Sequence, residues 1–160
     1  MDQDQFWKII APLQKPLFGF AIRMLADRSW AEDVMQDVLE KLWNMRDDLS
    51  TDRNPKSLAM TMMKNKCIDL MRRNGKYTEA DQLPLRVVES NYEHKDMLEQ
   101  LKARMQLLST QQKLIVELKD FQGFSYKEIA EITQLTVNTL RVNLSRARKK
   151  LTEPLRDDWR

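Results

Sequence analysis

Apolar side chains recur along most of this chain at intervals of three and four, the period of an α-helix buried on one side. Between 137 and 151, Val137, Leu140, Leu144, Ala147 and Leu151 advance by 3, 4, 3 and 4 positions and so share one face. Val34, Met35, Val38, Leu42 and Met45 repeat the pattern, as do Met60, Met63, Cys67 and Leu70. Polar start signals precede these runs. Ser29-Trp30-Ala31-Glu32, Ser109-Thr110-Gln111-Gln112 and Ser125-Tyr126-Lys127-Glu128 each fit the capping box, in which a hydroxyl and a Glu or Gln side chain satisfy each other's end amides. Asn54-Pro55 pairs an N-cap with proline at the first helical position. Together these signals predict helices over 4–26, 30–46, 55–73, 93–107, 110–120, 126–133 and 137–151.

The stretch 74–91 (NGKYTEADQLPLRVVESN) is polar, holds Gly75 and Pro84, and has no helical period. The expected fold is therefore all-α, with two small helical domains over 1–74 and 93–160 joined by a flexible linker over 75–92. No internal repeat or low-complexity tract interrupts this scheme. Composition strengthens it, because helix formers dominate and only 3 of 160 residues are glycine. Domains of that size bury only about 60% of their unfolded surface, so both are expected to lean on partners.

The net charge of +3 conceals an uneven distribution. Residues 1–52 hold 6 basic and 10 acidic side chains. Residues 53–76 hold 7 basic side chains against Asp69 alone, and 136–151 hold 5 with no acid. Two separated basic segments suit two contacts with a polyanion, of which nucleic acid is the usual one. A solvated basic face would give the same pattern.

Several function classes fall away. With one histidine, His94, and one cysteine, Cys67, an internal disulfide is impossible and a zinc site would depend on carboxylates. Neither a Ser-His-Asp set nor a glycine-rich phosphate loop is present, so no catalysis, cofactor, metal or small-molecule substrate is expected. Cys67 reads as a helix-buried thiol and His94 as a solvated linker imidazole. No stretch reaches the roughly 20 apolar residues of a membrane span, and the N-terminal MDQDQFWK is acidic, unlike a signal peptide. The expected location is the cytoplasm.

The sharpest local pattern is FSYKEIAEITQLTVNTLRVNLSRARKKL: a short helix from Tyr126, a turn near Gln134–Thr136, and a longer basic helix capped by Thr136. Opposite its apolar stripe lie Asn138, Val142, Ser145, Arg146 and Lys149, flanked by Arg141. On a helix-turn-helix, that face would offer the major groove donors, a hydroxyl and one apolar contact. Arg146 suits a guanine and Val142 a thymine methyl, while Arg148 and Lys150 are better placed for phosphates. Gln134 stands where such a turn usually has glycine. Either it takes positive φ, at a cost on the order of 1 kcal/mol, or the turn is wider than usual.

In the N-terminal half, Asp33, Asp37, Glu40 and Asn44 line the polar side of the 30–46 helix, with Gln36 beside them. Such a stripe is either solvated or a dock for an arginine-rich helix. On the next helix, Thr61, Asn65 and Arg72 share a polar stripe, and a basic cluster of Arg72, Arg73 and Lys76 suits the negative helix end.

These segments resemble a known family. AEDVMQDVLEKLW resembles the "AEDxxQexFlrlW" stretch of region 2 of bacterial RNA polymerase sigma factors, and MTMMKNKCIDLMRR resembles the "TiarNxxiDxlRR" segment that follows it. The run from Leu108 to Leu151 is similar to sigma region 4, including "GxSyxEIA" and "RAR". Both regions occur in the right order, with nothing in the place of further domains, so the likeness is to the extracytoplasmic-function (ECF) group of the sigma-70 family. That resemblance implies an alternative sigma factor binding core RNA polymerase, through the β′ coiled coil and the β subunit, and recognising promoter −10 and −35 elements. It implies β′ contacts for Asp33, Gln36 and Asp37, and −10 contacts for Asn65, Asp69, Arg72 and Arg73, with 47–53 as a base-capturing loop. It places Arg141, Val142, Ser145, Arg146, Arg148 and Lys149 at the −35 element, and threads the linker toward the polymerase active site. It also implies an anti-sigma factor, often one that holds its partner at the inner membrane. Leu39 in place of phenylalanine, Gln134 in place of glycine and Asn143 in place of arginine depart from the pattern and bear on base preference.

Between Pro55 and Arg73 there is no Trp, Tyr or Phe to stack on unpaired bases, an interaction worth roughly 1–3 kcal/mol per base. Strict promoter choice with weak intrinsic melting is the expected consequence. The competing reading is a stand-alone helix-turn-helix regulator, which would bind an operator as a dimer without polymerase.

Overall fold

The computed structural model of the chain describes residues 1–50, 54–79 and 97–152. These form helices α1 (Gln3–Leu25), α2 (Arg28–Asn44), α3 (Pro55–Arg73), α4 (Met97–Met105), α5 (Thr110–Val116), α6 (Tyr126–Thr133) and α7 (Val137–Thr152). A 3₁₀ turn, Arg46–Ser50, follows α2, and a π-helical turn, Glu117–Phe121, follows α5. No strand occurs among the described residues. They fall into two compact units, Met1–Lys76 forming the body of the first and the chain from Tyr77 onward that of the second. No described helix is long and apolar enough to cross a membrane.

The first unit is a three-helix bundle. Phe6, Ile10, Leu17, Phe20, Ala21 and Met24 of α1 are buried against Ala31, Val34, Val38 and Leu42 of α2 and Met60, Met63 and Cys67 of α3. Helix α1 runs through Pro12 and Pro16, although interior proline costs about 3 kcal/mol. Burial of its large side chains, about 1.5–3 kcal/mol each, outweighs that cost. On α3 the buried stripe ends on Met71, and Leu70 is half-buried. Relative to Cys67, Met71 lies about 40° round the helix and Leu70 about 60°, so Met71 is nearer the core. Met45 at the end of α2 is likewise only half-buried.

One start signal misled. Ser29 lies inside α2, and the N-cap is Asp27, whose carboxylate accepts the Trp30 N–H at 2.9 Å. The reason is Ala26, which takes a left-handed conformation (φ 53°), ends α1 and turns the chain so that Asp27 meets the first amides of α2. The boxes at Ser109/Gln112 and Ser125/Glu128 form in both directions, and Asn54 caps α3. A further box, Asp2/Gln5, opens α1.

In the second unit α5 does not run straight to 120. At Glu117 it widens into the π turn, where Gln122 N–H reaches back to the Glu117 carbonyl (2.9 Å), and Gly123 (φ 75°) redirects the chain. The wider turn keeps Leu118 buried while leaving Lys119 half-buried and Asp120 exposed. The chain just after α3 is tied to the start of α5. Thr110 N–H donates to the Thr78 carbonyl, and Thr78 N–H donates to Thr110 Oγ1, both at 2.9 Å. The first residues of the expected linker are thus anchored, whereas 80–96, with His94, lies outside the described residues. Helix α7 buries Leu140, Leu144 and Ala147, and Arg104 of α4 donates to the Leu151 carbonyl at its far end (3.0 Å).

Candidate nucleic-acid and partner interfaces

Helices α6 and α7 form the helix-turn-helix read from the sequence. Of the two ways to accommodate Gln134, the chain takes positive φ (62°), and the side-chain amide donates to the Glu131 carbonyl at the end of α6 (2.8 Å). Thr136 then caps α7, its hydroxyl accepting Thr139 N–H at 3.1 Å. Because the buried stripe fixes the rotation of α7, Asn138, Arg141, Val142, Ser145, Arg146 and Lys149 are all exposed. Val142, 41% exposed, is an apolar contact point set among cations. Asn143, half-buried, is turned back onto its own helix, bonding the Thr139 carbonyl.

Arg148 differs from its neighbours. Both arms of its guanidinium bind Asp120 of the π turn, at 2.5 and 3.1 Å. Hydrogen bonding to this carboxylate raises an already high pKa further, and the pair links the exposed side of α7 to the π turn. Twenty-eight residues separate the partners, and no local sequence pattern announces the pair.

In the first unit, Asp33, Gln36, Asp37, Glu40 and Asn44 form an exposed stripe on α2. Asp37 lies 4.0 Å from Lys66 on α3. Asn65, Asp69, Arg72 and Arg73 are exposed on α3, with Asp69 and Arg73 paired at 3.2 Å. Beside the acidic stripe opens a groove of about 470 Å³ between α1 and α2, lined by Phe6, Trp7, Gln36, Leu39, Glu40 and Trp43 among others. Phe6 meets Trp7 and Trp43 edge to face. Sequence reasoning placed Leu39 as a departure from a motif but had no signal for the groove, which needs α1 and α2 side by side. Residues 51–53 of the expected base-capturing loop lie outside the described residues.

Among the described residues, no three His, Cys, Asp or Glu side chains come together as a group that could hold a metal ion. Cys67 is fully buried, and burial pushes its thiol up to about 12, leaving it a packing residue rather than a nucleophile.

The decisive observation is that the two halves match two regions of one family, in order. Residues 9–77 match Sigma-70 region 2, and residues 98–151 match Sigma-70, region 4. The chain belongs to the sigma-70 family. Among curated relatives, this sigma factor is 25% identical to the RNA polymerase sigma-H factor of Pseudomonas aeruginosa, over 96% of its own length and 88% of that protein's. Among solved structures it resembles the sigma factor RpoE of Bartonella quintana, determined in complex with the anti-sigma factor NepR. The TM-score is 0.75 and the identity 27%, over 92% of this chain and 94% of that one. CnrH, determined with the cytosolic domain of CnrY, shares the fold at a TM-score of 0.70, with 24% identity over 94% of this chain and 87% of that one. The sigma factor is thus of the ECF type, an alternative initiation factor that binds core RNA polymerase and promoter DNA.

Proposed function

We propose that the first unit, with its boundary near residue 74, docks on polymerase through Asp33, Gln36 and Asp37 of α2, and that the β′ coiled coil is what they meet. Asn65, Asp69, Arg72 and Arg73 on α3 then face the −10 element. In the second unit, over 93–160, Arg141, Val142, Ser145, Arg146, Arg148 and Lys149 face the −35 element, Arg148 while also paired with Asp120. The linker over 75–92 spans the two. What supports this reading above all is the exposed, outward face of α7, whose donors and single apolar contact match what a major groove offers. Promoter choice is strict and intrinsic melting weak, because α3 carries no aromatic side chain for stacking. The protein catalyses nothing itself, works in the cytoplasm beside polymerase, and is restrained by an anti-sigma factor, as the complexes of its structural relatives suggest.

The test is affinity for core polymerase. Charge reversal at Asp33 and Asp37 together is expected to weaken binding about tenfold or more, with the fold intact by circular dichroism. Unchanged affinity would remove α2 as the docking helix.

A further inference from the structure

Tyr126, the first residue of α6, carries a role that its place beside the Ser125 cap does not explain. Its half-buried ring lies 5.3 Å from the guanidinium carbon of Arg141 on α7 and 4.4 Å from the ammonium of Lys119 on the π turn. Lys119 is fixed there by a second contact, its ammonium donating to the Phe124 carbonyl at 3.4 Å. Arg141 is exposed and, among the described residues, has neither a hydrogen bond nor an ion pair, in contrast to Arg148 gripped by Asp120. A long side chain without an anchor samples many rotamers and loses that freedom on binding. An arginine fork reads a guanine edge only when aligned with it, whereas a phosphate accepts a cation from many directions.

We propose that the Tyr126 ring is a positioning surface for Arg141, holding its guanidinium at the outer face of α7 so that it reaches the −35 duplex already oriented. Tyr126 thereby sets base discrimination at the position Arg141 reads without itself touching a base. The inference rests on the reading of α7 as the −35 helix. Asp120 and Arg148 contribute by linking α7 to the turn that carries Lys119.

The experiment measures binding of reconstituted holoenzyme to a library of −35 sequences. Arg141→Ala is expected to flatten preference at one or two positions. Tyr126→Leu, which keeps apolar bulk but loses the ring's charge distribution, is expected to flatten the same positions about two- to fivefold. Tyr126→Phe keeps wild-type selectivity, and Tyr126→Leu/Arg141→Ala is no flatter than Arg141→Ala alone. The proposal is overturned if Tyr126→Leu lowers binding evenly across all sequences, or if Tyr126→Phe flattens preference as much as Tyr126→Leu does. If Arg141→Ala alters no −35 preference, the reading of α7 fails and this inference with it. If Arg141→Ala flattens preference and Tyr126→Leu does not, only the inference fails.

Discussion

Ala26 and Gln134 are, among the described residues, the non-glycine positions held in left-handed backbone, and both end a helix. For a residue with a Cβ this conformation costs roughly 1–2 kcal/mol. Gln134 recovers part of that cost through its bond to Glu131, whereas Ala26 has no side chain to bond with. Ala26→Gly is therefore expected to stabilise the first unit by about 1 kcal/mol, and Gln134→Gly by less, as read by urea denaturation. Unchanged or lowered stability in both variants would show that the turns are not strained. These residues also mark what the sequence could reveal. Gln134 stood out against a motif that usually has glycine, which narrowed its backbone to positive φ or a wider turn without deciding between them. Ala26 carries no turn signal, and Ser29 three residues later mimicked a cap that Asp27 in fact supplies.

At the scale of elements, the amphipathic faces of α2 and α7 were legible because packing follows the 3.6-residue period directly. The π turn after α5 was not, since no local sequence pattern announces it; within it Leu118 is buried, Lys119 half-buried and Asp120 exposed. Helix α5 also buries Lys113, whose ammonium donates to Gln106 at 3.1 Å. Burial pushes its pKa from 10.5 down to about 8, opposed by the charge of Glu117. Between these values the unfolded chain binds more protons than the folded one, so stability rises with pH through that window. Amide exchange in α5 is expected to slow between about pH 8 and 10.5, after correction for intrinsic rates, by an amount equivalent to about 1–3 kcal/mol. Lys113→Gln should lack this gain. An identical pH dependence in the variant would mean that Lys113 titrates normally.

For the whole molecule, a modest net charge of +3 hides a division of labour. An acidic stripe lies on α2, and cations lie on the exposed sides of α3 and α7. Charge segregation by itself left nucleic-acid binding and a solvated surface equally open. The ordered pair of family-like segments resolved it, because a stand-alone regulator has no use for a region 2. Fine contacts such as Asp120–Arg148 and Tyr126–Arg141 were invisible to that reasoning, since each joins residues far apart in sequence. The most direct test of the central claim is reconstituted transcription on a genomic fragment library, with core polymerase alone, the full chain alone, and both together. Promoter-specific transcripts are expected only with both, starting downstream of sites that share paired −10 and −35 sequences at fixed spacing. The absence of new start sites when the chain joins the core enzyme would contradict it.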